Sequence, residues 1–321
     1  AVGIGAIIIT AIYWLFGFLR MGTTGLTAQA IGSGDKSETS ALLIRGLIIG
    51  LVSGLILIAS QVPLFFGALQ LSPASMEVEG MAQQYLQIRV YSAPAAIAIF
   101  GITGWLIAKE KTRSILLLQL VLNGVNIILD LLFVLQLGWG VEGVAIATLI
   151  ATCFMVIHYT VFLFKKRIRK YSPYSVTFKL SHLIQQMKLG FPIGFQEMIS
   201  MAGFSIFYKI IGIIGTVELA TSEVIMHIAH ASFMPAIGVG MAAATLVGKF
   251  LGEKKPDKAE QSVKEAIKWA FLIMGSMGFL FIIFPHLIIP VFSSDPQIIK
   301  MGIPCLQIIG VLQYFDAVGL T

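Results

Sequence analysis

The feature that most limits what this chain can fold into is its succession of long apolar stretches, separated by short turns of sharply unequal charge. A membrane-spanning helix needs about 20 predominantly apolar residues, because the hydrocarbon core is about 30 Å thick. Nine stretches are that long: roughly 3–30, 41–69, 82–108, 115–137, 142–164, 189–214, 219–250, 263–291 and 298–320. Inside a bilayer each backbone N–H and C=O must be satisfied within the protein, so stretches of this length predict helices. The expected fold class is an all-α polytopic membrane protein. Of the 321 residues, 57% are hydrophobic and 12% charged. A soluble domain carries about 25% charge, so a soluble binding protein is excluded.

The turns set the direction of the helices. Lys36 and Arg45 flank the first, and the second, about 70–81, has no Lys or Arg. The third holds Lys109, Lys111 and Arg113, and the fourth, about 138–141, has none. The fifth is basic from Lys165 to Lys188, the sixth has no base, the seventh holds Lys249, Lys254, Lys255 and Lys258, and the eighth has none. Basic residues collect on the cytoplasmic side. The odd-numbered turns are therefore expected in the cytoplasm, in a multi-pass protein of the inner membrane. The net charge of +6 reads as this topology signal, with no nucleic-acid partner. Residues 165–188 read as a cytoplasmic linker between an N-terminal bundle, 1–164, and a C-terminal bundle, 189–321. Its basic run could meet anionic lipid, but a solvated topology signal is the favoured role.

Within this greasy background, Asp130 stands out. A carboxylate at the centre of a span costs about 2.5–3.5 kcal/mol on insertion scales, and such residues mark ion or substrate paths. Gln119, Asn123, Asn126 and Asp130 follow i, i+4, i+7, i+11 spacing and stack along one helical face. The amide oxygens of Asn126 and Asn123 beside an acid suit a hard cation. The other acids well inside spans are Glu197 and Asp316. His227 and His230 share a helical face, but no nearby Cys or acid completes a metal site. Arg89 reads as structural. Lys209 could salt-bridge or snorkel, and Met201, Phe204 and Phe207 read as lipid-facing or packing residues. Cys153 and Cys305 read as packed thiols. Residues 1–31 lack a basic leader and are too long an apolar run for a signal peptide.

Two short matches recur at one offset. Ala28-Gln29-Ala30-Ile31-Gly32 and Gly248-Lys249-Phe250-Leu251-Gly252 each close a span before a charged turn, 220 residues apart. Leu86-Gln87-Ile88 and Leu306-Gln307-Ile308 are also 220 apart. The shared offset predicts a parallel repeat, as in transporters whose halves are related by an axis along the membrane normal. Completing both copies calls for twelve helices, six per half. The expectation is a chain one helix short at its start and two short at its end, which by itself does not transport.

Several of these segments resemble the multidrug and toxic compound extrusion (MATE) family, the first half most like its DinF-type branch. The carriers are Arg20-Met21-Gly22-Thr23-Thr24-Gly25-Leu26-Thr27-Ala28-Gln29-Ala30 with Gly32-Ser33-Gly34-Asp35, and, in the second half, Gly190-Phe191-Pro192. Phe233-Met234-Pro235-Ala236-Ile237-Gly238-Val239-Gly240, Leu246-Val247-Gly248 and Leu251-Gly252 extend the likeness across the chain. The resemblance implies two six-helix bundles around a central cleft, and an antiporter that exports cationic or amphipathic compounds in exchange for H⁺ or Na⁺. It implies a coupling-ion site at Asp130, Asn126 and Thr148, beside Asn123. The matching acid on the family's first helix would precede Ala1. In the second half Asp316 matches a family acid. Ser200 stands where other branches carry a Glu, and Glu197, one turn earlier, is the candidate substitute. These two acids form a candidate second cation or substrate site.

The expected mechanism is alternating access in a monomer, with no cofactor beyond the coupling ion and no enzymatic step. A lipid-linked precursor flippase of a related superfamily is the first rival. It would favour cationic cleft residues, whereas the in-span charges here are mainly acidic. An integral membrane enzyme is the second rival, and no HExxH or GxSxG pattern supports it.

Overall fold

In a computed structural model of the chain, the described residues are 2–70, 76–166 and 180–319. Among them the secondary structure is helical, with no strand. Nine helices are long and apolar enough to cross a membrane: α1 Val2–Gly32, α2 Lys36–Ala59, α3 Val78–Ala108, α4 Thr112–Gln136, α5 Gly140–Val161, α6 Gln186–Ile214, α7 Thr216–Gly252, α8 Pro256–Ile283 and α9 Pro296–Gly319. The number and order match the sequence expectation. The central part of the expected linker, 167–179, lies outside the described residues. The chain forms two compact units, Ala1–Met198 and Ile199–Thr321.

Two ends differ from the sequence reading. The second span breaks at Ser60, and Gln61–Gln70 is a separate short helix. Pro63 has no N–H to give to the Ala59 carbonyl, and the Ser60 hydroxyl turns back to donate to Ile56 O at 2.7 Å. The eighth span ends at Ile283, because Phe284 precedes Pro285 and leaves the helical region at φ −117°, ψ 35°. Apolarity runs through both breaks, which is why hydropathy alone merges the pieces.

In the first unit, α2 and α3 pack through small residues. Gly46, Gly50 and Gly54 recur every four residues along one face of α2. A Cβ on Gly46 would stand 3.4 Å from Gly101 Cα, one on Gly50 2.6 Å from Ala98 N, and one on Gly54 would collide with the Pro94 backbone. In a bilayer, helix association relies on such close packing, since lipid tails are as apolar as leucine. The seam is pinned at its basic end by Trp105, whose Nε1–H donates to Thr39 O at 2.7 Å. Arg45 belongs here too. It is not a solvated flank of the first turn: it is 3% exposed and donates twice to Glu38, at 2.6 and 2.8 Å. The span starts earlier than its first apolar residue because this pair neutralises its first two turns.

In the second unit, α8 and α9 cross where Gly278 meets Gly310, and a Cβ on either would press on the other's carbonyl. Ile225, Ile228, Phe281, Ile289 and Leu306 fill the core beside that crossing.

Candidate functional site

The polar stripe sits on α4, a sparsely covered span with 6% of its apolar window buried. Only part of the stripe meets a partner. Asn126 Nδ2–H donates to Thr148 Oγ1 on α5 at 3.1 Å, and the Thr148 hydroxyl donates to Val144 O at 3.0 Å. With its own hydroxyl proton committed, Thr148 offers Asn126 a lone pair, and the amide oxygen of Asn126 stays free to face a ligand. Asp130 follows one turn later. Its Oδ1 is buried and has no hydrogen-bond partner among the described residues. Gln119 and Asn123 lie on the same face but are exposed; of the expected set, Asn126 and Thr148 are joined by a hydrogen bond, and Asp130 lies one turn further along α4.

Helix geometry changes at Asp130. The α-helix Thr112–Asp130 gives way to a π-helical segment, Leu131–Gln136, closed by Leu137 N–H to Leu132 O at 3.0 Å. Such widened turns cluster at functional sites, because they re-aim side chains and disturb the backbone ladder. Here the cause lies at the following corner. Trp139 N–H donates to Phe133 O at 2.9 Å, and the two rings stack with centroids 4.9 Å apart. Gly138 and Gly140 turn the chain in the left-handed region, at φ +68° and +56°. Gly143 leaves room for the stack, since a Cβ there would sit 3.1 Å from Trp139 Cβ. No signal in the run Leu131-Leu132-Phe133-Val134-Leu135-Gln136 announces a π-turn. The glycines and the tryptophan beyond it are the readable part.

The other acids stand apart from this group. Glu197 is on α6, half-buried, and its charge acts on Arg20 of α1. Around it the start of α6 docks on α1. Gln186, 1% exposed, donates from Nε2 to Thr23 Oγ1 at 3.1 Å. Gly190 and Gly194 lie flat on Phe18, and a Cβ on Gly190 would collide with that ring. Residues 186, 190, 194 and 197 form one helical face. The sequence reading missed this seam, although the spacing and the lone basic residue Arg20 opposite a lone acid were signals for it. Asp316 lies on α9 in the second unit, half-buried. Three residues before it, Gln313 is fully buried, with neither amide atom partnered.

The remaining candidates stand apart from the stripe. Arg89 donates to Ser92 Oγ at 2.7 Å, and Tyr13 Oη–H donates to Arg89 O at 3.0 Å. That makes Arg89 a structural tie between α1 and α3. His227 Nδ1 lies 2.8 Å from Glu223 O of its own helix, and His230 is exposed. Lys209, Phe204 and Phe207 are exposed. Cys153 is partly buried, whereas Cys305 is exposed and not packed; α9 places it on an uncovered face.

Fold and site together define a multi-pass helical membrane protein with acids and amides held inside its spans. The family profile of MatE matches residues 1–132 and 192–321, and the chain belongs to that family. A protein of Thermotoga maritima named "Probable multidrug resistance protein NorM" is 27% identical over 307 residues, which is 94% of this chain and 66% of that protein. "DNA damage-inducible protein F" of Escherichia coli K12 is 37% identical over 150 residues, 47% of this chain and 33% of that protein. The chain thus spans less than two thirds of the length of these relatives. A solved structure described as "Crystal structure of MATE in the straight conformation" superposes with a TM-score of 0.88 at 23% identity, over 99% of this chain and 72% of its own. One described as "Outward-facing conformation of a multidrug resistance MATE family transporter of the MOP superfamily" gives 0.84 at 23%, with the same coverage. These two likenesses support the fold.

Proposed function

We propose that the protein is a cation-coupled antiporter of the inner membrane that exports cationic or amphipathic compounds by alternating access, taking up H⁺ or Na⁺ in return. Membership of the MatE family and relatives named as multidrug resistance proteins support the efflux part. The coupling part rests on one observation: the buried, unpartnered Oδ1 of Asp130, one turn from the Asn126–Thr148 hydrogen bond. A hard monovalent cation wants a carboxylate and neutral oxygens together, and a proton needs only the carboxylate. Either ion removes the cost of the unpaired charge. Coupling follows because ion and drug each bind one facing state better than the other. The π-turn after Asp130 is the element in which ion uptake is converted to a change of helix shape. Glu197 and Asp316 are the candidates for a second cation or substrate site. The transporter acts as a monomer, in lipid, without an enzymatic step or a bound cofactor.

The test is efflux of a fluorescent organic cation from inverted vesicles carrying the complete gene product. Asp130→Asn is expected to lower ion-dependent efflux strongly. Wild-type efflux with wild-type ion dependence in that variant would sink the proposal.

A further inference from the structure

The two sides of α1 are held in different ways. On one side α1 is locked to α3. Thr24 Oγ1 donates to Arg20 O at 2.8 Å and lies 3.2 Å from Gly104 O, and a Cβ on Gly104 would collide with Arg20 O. On the other side the start of α6 rests on a ring and an amide. A Cβ on Gly194 would stand 2.9 Å from the Phe18 ring and 2.5 Å from Leu15 O, Gly190 lies on the same ring, and Gln186 Nε2–H donates to Thr23 Oγ1 at 3.1 Å. This second seam leaves polar atoms unsatisfied. Residues 20, 23 and 27 share one face of α1. Arg20 Nε, Thr27 Oγ1 and Gln186 Oε1 are all buried without a hydrogen-bond partner among the described residues. Burying one unpaired polar group costs more than a neutral interhelical hydrogen bond returns. Packing on Phe18 holds the seam shut while these atoms favour opening it to water.

We infer that this seam is a releasable latch: Gln186, Gly190 and Gly194 hold α6 on Thr23 and Phe18 in the state described, and each transport cycle requires them to part. The inference rests on the alternating-access reading above and adds the residues that must separate. By the turn charges the latch lies towards the cytoplasm, since Gln186 is the first residue of its span and follows the basic stretch. From Gln186 to Glu197 it runs about 17 Å, at 1.5 Å per residue. Pro192 stands inside that length. It gives no N–H to the Lys188 carbonyl and so lets the helix bend part-way along, which allows the seam to open in stages. Arg20 and Glu197, of opposite charge, draw it closed again. Beyond Met198 the same helix counts with the second unit, so a hold on its first part governs how the whole helix moves.

The test oxidises Phe18→Cys/Gly190→Cys with copper phenanthroline in the complete gene product, freed of other cysteines and reconstituted in vesicles, with ethidium as the transported probe. The disulfide is expected to form, to stop ethidium efflux almost completely, and to release it again on reduction. Gly50→Cys/Ala98→Cys, in the α2–α3 seam, is expected to cross-link with no such loss. Absence of the first cross-link, or full efflux with it closed, would overturn the latch. Thr23→Val/Gln186→Leu makes the seam apolar and removes the unpaired amide. It is expected to slow efflux about ten-fold, the worth of one unpaired buried group, with no fall in melting temperature. Unchanged efflux at that stability would make the seam ordinary packing and overturn the latch as well. If the wild type moves no ethidium, the efflux reading fails on its own. The latch is then judged by its cross-linking rate, which should change several-fold on adding Na⁺ or acid, and an invariant rate rejects it.

Discussion

Two turns, one in each unit, are built from the same hydrogen bonds and from different residues. At 33–35, Asp35 N–H reaches Ala30 O at 2.9 Å and Gly34 N–H reaches Ile31 O at 3.1 Å. At 253–255, 220 residues later, Lys255 N–H reaches Phe250 O at 2.9 Å and Lys254 N–H reaches Leu251 O at 3.0 Å. Both are Schellman closures, with the penultimate residue in the left-handed region, at φ +75° for Gly34 and +58° for Lys254. In the first unit a glycine takes that conformation without strain, and Asp35 caps the next helix by accepting from Glu38 N–H at 2.8 Å. In the second unit a lysine takes it, and Lys255 at the cap position makes no cap bond. Backbone geometry is thus kept while side-chain support differs. The same contrast runs through the interior. Gly46 and Gly50 face a neighbouring backbone, whereas Ala266 and Ala270 stand at the matching positions of α8 and are also buried. Asp130 has a hydrogen-bonded amide–hydroxyl pair one turn away, whereas the residue one turn before Asp316 is the unpartnered Gln313.

The largest expected difference between the units is functional. Asp130→Asn should lower ion-coupled efflux by roughly 5–150-fold, the span of a typical coupling free energy. Asp316→Asn should lower it by less, because among the described residues no hydrogen-bonded amide–hydroxyl pair stands beside that acid. Side-by-side efflux assays in inverted vesicles decide this. An Asp316→Asn loss equal to the Asp130→Asn loss would erase the asymmetry and make the two acids one coupled system.

Packing gives the next effect. Gly50→Ala puts a Cβ 2.6 Å from Ala98 N, and overpacking of this kind costs about 1–3 kcal/mol. Ala270→Gly, at the matching position, opens space and should cost about 1 kcal/mol through helix propensity. Thermal unfolding followed in detergent ranks the two. If Gly50→Ala unfolds no earlier than the wild type, the α2–α3 seam is looser than the glycine spacing implies.

Most of the fold was legible and only part of the site. Nine spans follow from length and apolarity, because a bilayer accepts little else. The ends at Ser60 and Phe284 were less visible, since proline acts on the backbone while leaving the hydropathy of the run unchanged. By sequence Arg45 flanks the first turn because it lies near one. Its ion pair with Glu38 spans seven residues, two helical turns, and was available in the spacing. The stripe through Asp130 was readable as a period. Its partner Thr148 came from family likeness, since a single threonine in an apolar helix has no signature of its own. The π-turn was invisible because it depends on a corner packed by Trp139 and Gly143 rather than on the residues that form it. Gln186 and Arg20 carry no signal of their own in the sequence, because their meaning lies in the helix opposite.

A smaller effect concerns the amide–hydroxyl pair. Asn126→Leu removes the hydrogen bond to Thr148, and interhelical bonds of this kind in membranes are worth about 0.6 kcal/mol on average. The stability loss should therefore be slight, while ion dependence of efflux shifts to higher ion concentration if Na⁺ is the coupling ion and stays put if it is H⁺. Titrating efflux against Na⁺ at fixed pH separates these outcomes. A large fall in melting temperature would instead mean that the pair holds α4 to α5 and that its part in ion binding is secondary.

The smallest effects return to the two turns. Left-handed backbone costs an ordinary residue about 1–2 kcal/mol relative to glycine, so Lys254→Gly should stabilise the second unit and Gly34→Lys should destabilise the first by a similar amount. The gain is reduced by the flexibility glycine adds to the unfolded chain. The second turn also has an acid-side dependence. The hydrogen bond from Lys255, 2.8 Å to the Glu253 carboxylate, holds that carboxyl below its usual range, with Lys249 and Lys258 adding to it. A carboxyl lowered on folding contributes stability above its unfolded pKa and loses it as pH falls through its folded one. Both groups are substantially exposed, so the contribution is small and fades with salt. Lys255→Ala should therefore trim stability slightly at neutral pH and low salt and leave it unchanged in acid, whereas Asp35→Ala should cost about 1 kcal/mol through its lost cap. Melting curves of the two variants at neutral pH, at low and at high salt, are the check. If Lys255→Ala costs as much as Asp35→Ala at high salt, the lysine supports its helix by some route other than charge, and the contrast between the two turns is weaker than their side chains suggest.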